Sequence, residues 1–122
     1  MNSTESFSAR ELSCRCSSCK QSKPHQMQEY VLRGLQAIRD VANRPLILTS
    51  AYRCANHPDE IKKAAPGRHN QGLAVDIKVS NDRERAEIVD LGLKYGAKGI
   101  GVAKSFVHLD WRTGPKAMWL YS

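Results

Sequence analysis

The stretch Gly72-Leu-Ala-Val-Asp-Ile-Lys-Val79 alternates along its length: Leu73, Val75, Ile77 and Val79 fall on one side of an extended chain, and Gly72, Ala74, Asp76 and Lys78 on the other. A period of two predicts a strand with one core face, and it puts Asp76 on the opposite face. The run Phe106 to Trp111 has the same parity: Val107, Leu109 and Trp111 turn to the core, while Phe106, His108 and Asp110 share the other side. Set side by side in one sheet, the two strands present Asp76, His108 and Asp110 on one surface, with His69 at the end of the loop feeding the first strand.

Outward from these strands the period lengthens. Gln26 to Ala42 carries Met27, Val31, Leu35, Ile38 and Val41, with Leu32 beside them, at the spacing of one helical face, and Asn43-Arg-Pro45 ends it. Asn81 to Tyr95 repeats that spacing through Ala86, Ile88, Val89, Leu91 and Leu93, with Gly96 as its stop. Ser8 to Glu11 has the spacing of a capping box and predicts a short helical turn. Leu46 to Tyr52 reads as a buried strand, Gly99 to Val102 and Met118 to Tyr121 as short strands, and Arg53 to Gln71 as a long loop with at most one turn of helix. The expected fold class is α+β, with two main helices packed on a small, mostly antiparallel sheet. One domain over residues 1–122 is expected, with a Cys-containing loop region, 1–25, packed on it.

Composition narrows the function classes. A chain of 122 residues that is 41% hydrophobic and 25% charged has room for one core and is too apolar to stay disordered. It lacks the roughly 20 consecutive apolar residues that span a bilayer, and its first twenty residues hold no apolar signal-peptide core, so synthesis in the cytoplasm without a signal is expected. Nineteen Lys and Arg against 12 Asp and Glu give a net charge of +7, which points to an anionic partner: nucleic acid, an acidic membrane surface or a cell-wall polymer. The basic residues are spread among acidic ones with no dense stripe, which argues against specific nucleic-acid binding.

Three ligands of the His, Asp, His kind suit a catalytic zinc ion that keeps a fourth position for water. A nearby carboxylate would take the proton, and Asp110 is placed for that role, or alternatively to orient a ligand. The competing reading is that these are unrelated surface and turn residues.

The wording around them is more specific. Ser50-Ala-Tyr-Arg53, then Gly67-Arg-His69-Asn-Gln-Gly72-Leu-Ala-Val-Asp76-Ile77, then Ser105-Phe-Val-His108-Leu-Asp110 closely resemble the zinc D-Ala-D-Ala carboxypeptidase and L-alanyl-D-glutamate peptidase superfamily. The match is nearest its small, phage-borne branch and covers Phe7 to Arg112. The resemblance implies a hedgehog-like fold and a zinc metallopeptidase that hydrolyses peptidoglycan peptides, as carboxypeptidase or endopeptidase, in the manner of a bacteriophage endolysin acting on the cell wall. It implies one catalytic Zn2+ held by His69, Asp76 and His108, with Arg53 and Gln71 binding substrate. An anionic envelope as partner and a monomeric state are expected with it. Two departures stand out. Gly67 occupies a place where many relatives have Ser, and Ser105 and Phe106 occupy the two places where a Glu or a His base would stand; Asp110 is the candidate base because it shares the face of His108 and is a carboxylate of suitable reach. A non-catalytic zinc- or wall-binding module of the same fold is the alternative.

Cys14, Cys16, Cys19 and Cys54 admit three readings. Cys16-x2-Cys19 with Cys54-x2-His57 has the ligand types of a second, structural zinc site; disulfides and free thiols are the others. The wide separation of the two motifs favours disulfides over a metal. His25 reads as an exposed loop residue, and His57 either as another or as one facing substrate. Trp111, Trp119 and Tyr121 read as core at the sheet edge in preference to a sugar-stacking platform.

Overall fold

A computed structural model describes residues 4–61, 63, 65 and 67–121. In chain order the elements are α1 (Ala9–Leu12), α2 (Glu29–Ala42), β1 (Leu48–Ser50), α3 (Pro58–Ile61), β2 (Ala74–Lys78), α4 (Asp82–Lys94), β3 (Gly99–Val102), β4 (Phe106–Asp110) and β5 (Ala117–Leu120). The five strands form one sheet in the order β1-β2-β4-β3-β5, antiparallel except that β5 joins β3 in parallel. The class is α+β, with two long helices and a mostly antiparallel sheet.

Local chemistry sets several of the helix ends. Ser8 and Glu11 form the reciprocal capping box on α1. Asn81 caps α4 by accepting from the Glu84 amide at 2.9 Å. At the end of α2, Asn43 takes the left-handed conformation, φ 54°. That helix starts three residues later than its apolar pattern predicts. The imidazole of His25 accepts from the Met27 amide at 3.1 Å, and Gln28 N–H donates to the Gly72 carbonyl, so the segment before Glu29 is held by other partners. His25 is buried there, against the expectation of an exposed residue.

The core forms where the inward faces of α2 and α4 meet one face of the sheet. Val31, Leu35, Ile38 and Ile88 join Val75, Ile77, Ile100, Val107 and Leu109 in one buried cluster. A side chain of this kind contributes roughly 1.5–3 kcal/mol when fully removed from water. Trp111 closes the cluster and donates its indole N–H to the Tyr95 carbonyl at 3.1 Å.

On the other sheet face, register assembles the polar residues. Asp76 pairs directly with His108 across β2 and β4, and His108 pairs with Gly101 of β3. Gly99, opposite Asp110, has no side chain to overlap its carboxylate. Strand β1 is shorter than the run Leu46–Tyr52 predicts, because its pairing shifts between Leu48 and Ser50. Such an irregularity turns the chain out of the sheet, and beyond it the Ala51 carbonyl meets His69 and the Arg53 guanidinium meets Asp76.

Gly72 fixes how the loop enters β2. Its φ is +73°, and a Cβ there would overlap the carbonyl oxygen of Gln26. Gly72→Ala therefore combines a left-handed penalty of about 1–2 kcal/mol with a backbone collision. We expect thermal unfolding to show a loss exceeding that penalty, and an unchanged melting temperature would contradict the packing described.

Candidate metal centre

His69, Asp76 and His108 come together as the strand parity predicts. All three are buried, and one ligand atom from each lies within 4.8 Å of the others. Asp76 Oδ1 is the hub, 3.2 Å from His69 Nε2 and 3.0 Å from His108 Nδ1. Ligands about 2.0–2.1 Å from a tetrahedral zinc are separated by about 3.3 Å, so these edges already fit the ion.

The remaining ring nitrogens fix the protons. His69 Nδ1 is 2.7 Å from the Ala51 carbonyl, which only accepts, so this nitrogen carries the hydrogen and Nε2 offers its lone pair. His108 Nε2 is 2.7 Å from Asp110 Oδ2 and donates to it, leaving Nδ1 to face Asp76. Two imidazole lone pairs and a carboxylate oxygen thus converge on one space. That arrangement requires a cation between them, either a proton or a metal.

The ionisation of the groups follows. Burial opposes charge on His108, but its hydrogen bonds to Asp110 and Asp76 outweigh that effect and raise its pKa above the ordinary histidine value. Burial likewise disfavours the Asp76 anion, yet the two imidazoles beside it, with a proton on His108 Nδ1 donated to Oδ1 in the metal-free protein, hold its carboxyl well below the usual carboxylate range. The raised pKa favours a proton on metal-free His108, and zinc binding through Nδ1 would compete with that proton. Zinc uptake should release it, and apparent affinity should weaken by about tenfold per pH unit below that pKa. Calorimetry in buffers of different ionisation enthalpy reads this directly, and a pH-independent affinity would contradict it.

Asp110 is fully buried, and both of its oxygens are engaged. Arg112 donates from Nε to Oδ1 at 2.7 Å and from Nη2 to Oδ2 at 2.8 Å, while His108 donates to Oδ2. Burial would raise the Asp110 pKa, but Arg112 and His108 hold it well below the usual range. Arg112 is a site residue that the sequence reading missed. The signal was present, since residues 110 and 112 lie two apart on an extended chain and carry opposite charges.

Arg53 stands at the rim. Its Nε donates to Ser50 Oγ at 3.1 Å, and its Nη2 lies 3.4 Å from Asp76 Oδ2 and 4.0 Å from Asp59. The Asn70 amide clamps its backbone carbonyl at 2.9 Å, tying the Arg53 loop to the His69 turn. Gln71 accepts from Arg68 Nη1 at 3.2 Å. His57 accepts from the Asp59 amide at 3.0 Å, and burial and the Arg53 charge lower its pKa. The loop between them is braced by Glu60, buried, which accepts from the Gly67 amide and from Lys63, each at 3.0 Å.

Two aromatic residues expected in the core lie on the site face. The Trp119 ring centroid is 5.3 Å from that of His108, and Arg112 stacks 5.0 Å from the Trp119 ring. Tyr121 is 43% exposed and packs on Phe106. Only Trp111 meets the core expectation. No disulfide joins the four cysteines, and their sulfurs gather without His57.

The fold and site define a small α+β domain whose sheet displays a buried His/Asp/His triad that could hold a metal ion. A family model for Peptidase M15 matches residues 5–110, and the chain belongs to that family of zinc-dependent peptidases in the D-Ala-D-Ala carboxypeptidase-like superfamily. No curated protein matches the chain. Among the described residues no helix is long and apolar enough to cross a membrane.

Proposed function

We propose that this protein is a zinc metallopeptidase that hydrolyses an amide bond in peptidoglycan peptides, with His69 Nε2, Asp76 Oδ1 and His108 Nδ1 holding the metal. The observation that carries this reading is the convergence of those three atoms, each imidazole oriented from behind by a hydrogen-bond acceptor. Zinc there supplies Lewis-acid chemistry, bringing water ionisation toward neutral pH and polarising a carbonyl.

The protein's own groups do the rest. Arg53, with its guanidinium beside the triad, anchors a substrate carboxylate or carbonyl through paired hydrogen bonds. Gln71 lies two residues from His69 on the same turn and flanks the bound peptide. Asp110 is a positioning residue: clasped by Arg112 and without a free oxygen, it holds His108 in the tautomer that ligates, which is the second of the two roles its sequence position allows.

The test is digestion of purified muropeptides followed by mass spectrometry. Cleavage is expected, abolished by chelation and restored by zinc, with the mass change separating release of D-Ala from a cut within the stem peptide. Cleavage that survives thorough chelation would refute the mechanism. The charge of +7 adds an expectation for an endolysin-like enzyme working on an anionic envelope. Lysis of whole cells should fall with added salt faster than cleavage of soluble muropeptides, as paired turbidity and cleavage assays would show. Equal salt dependence would remove the role of charge.

A further inference from the structure

The four cysteines gather in one place, away from the His/Asp/His triad. Cys14, Cys16 and Cys19 are buried and Cys54 is partly buried, and their four sulfurs all lie within 4.8 Å of one another. Cys16 Sγ is 3.6 Å from Cys54 Sγ, and Cys19 Sγ is 3.8 Å from it. Four sulfurs about 2.3 Å from a tetrahedral zinc are about 3.8 Å apart, so these separations are those of a tetrathiolate cage. Two disulfides would draw the sulfurs into pairs; here they share a common centre.

The backbone is shaped for the purpose. Cys19 and Lys20 N–H groups both donate to the Cys16 carbonyl, Gln21 N–H donates back to the Cys14 carbonyl, and Lys20 and Gln21 adopt left-handed φ values of 48° and 60°. This knuckle turns the side chains of Cys16 and Cys19 to one side. Tyr52 N–H donates to the Leu12 carbonyl at 3.1 Å and brings the Cys54 segment alongside. We propose that Cys14, Cys16, Cys19 and Cys54 bind a structural zinc ion that staples the N-terminal loop to the loop carrying Arg53. His57, the fourth ligand that Cys54-x2-His57 suggests, is replaced by Cys14.

Such a site ties residues distant in sequence, which stabilises a loop of little regular structure. Its position next to Arg53 gives the staple a further use, which rests on the function proposed above: it holds the substrate anchor in place.

The test uses protein prepared under reducing conditions from zinc-supplemented medium. Elemental analysis should find about two zinc ions per chain in the wild type and about one in His69→Ala, because loss of the triad leaves the cysteine site filled. Titrating the wild type with an organomercurial should release one zinc as four thiols react, and Co2+ in place of zinc should give sulfur-to-metal charge-transfer absorption that His69→Ala keeps and a Cys16→Ser/Cys19→Ser variant loses. Should that double variant fail to fold, the wild-type titration decides alone. Four thiols that react at once with no zinc release, a mass four hydrogens lighter from two disulfides, or iron in place of zinc would each overturn the proposal. Failure of the peptidase reading looks different: the cysteine-bound zinc is present and muropeptides stay intact.

Discussion

His69→Ala or Asp76→Ala should abolish peptidase turnover while leaving the fold largely intact. Removing either residue deletes one of three converging ligand atoms, and with Asp76 it deletes the hub that both imidazoles face. Loss of the metal forfeits several kcal/mol of transition-state stabilisation, which corresponds to a fall of roughly 10³-fold or more in kcat/KM. Asp76→Ala carries an added structural signature. The Asp76 carboxylate offsets buried positive charge on His108 in the metal-free protein, so its removal should lower the His108 pKa, readable by NMR titration. Circular dichroism checks that the fold survives; a variant that folds, lacks triad zinc and cleaves at the wild-type rate would refute the assignment.

Asp110→Asn should act through the metal. The amide still offers an oxygen to His108 but leaves Arg112 without its paired carboxylate and no longer favours the Nε2–H tautomer electrostatically. Loss of a partner behind a ligating histidine costs about 10–100-fold in metal affinity or activity. Part of the lost rate should return in excess zinc, with the acid limb of the pH profile in place. A base role for Asp110 predicts the opposite pattern: normal zinc affinity, a rate that zinc does not rescue, and loss of that limb. Zinc titrations and pH profiles of the one variant therefore separate the two roles.

The parts of the fold readable in advance were those governed by local periodicity. Strand parity alone put Asp76, His108 and Asp110 on one face, and the register Asp76 opposite His108 confirmed that the strands are neighbours. Helix α4 and the capping box on α1 follow from side-chain chemistry within a few residues. What escaped was long-range. Trp119 and Tyr121 read as core because β5 was not known to join β3 in parallel, a pairing set by tertiary structure that carries both rings to the site. The late start of α2 depends on Gly72, which is far along the chain. Cys14 could not be joined to Cys54 from spacing, since the turn at Cys16–Lys20 and the Leu12 to Tyr52 hydrogen bond together create the cluster. The place of Asp110 beside His108 is legible from strand parity, whereas its clasp by Arg112 depends on side-chain geometry.

The most direct measurement is a crystal structure of the zinc-loaded protein with diffraction recorded at the zinc absorption edge. A metal held by the triad predicts an anomalous peak bounded by His69 Nε2, Asp76 Oδ1 and His108 Nδ1, with Asp110 remaining on His108 Nε2. A catalytically active, zinc-loaded crystal with no peak at that position would contradict it.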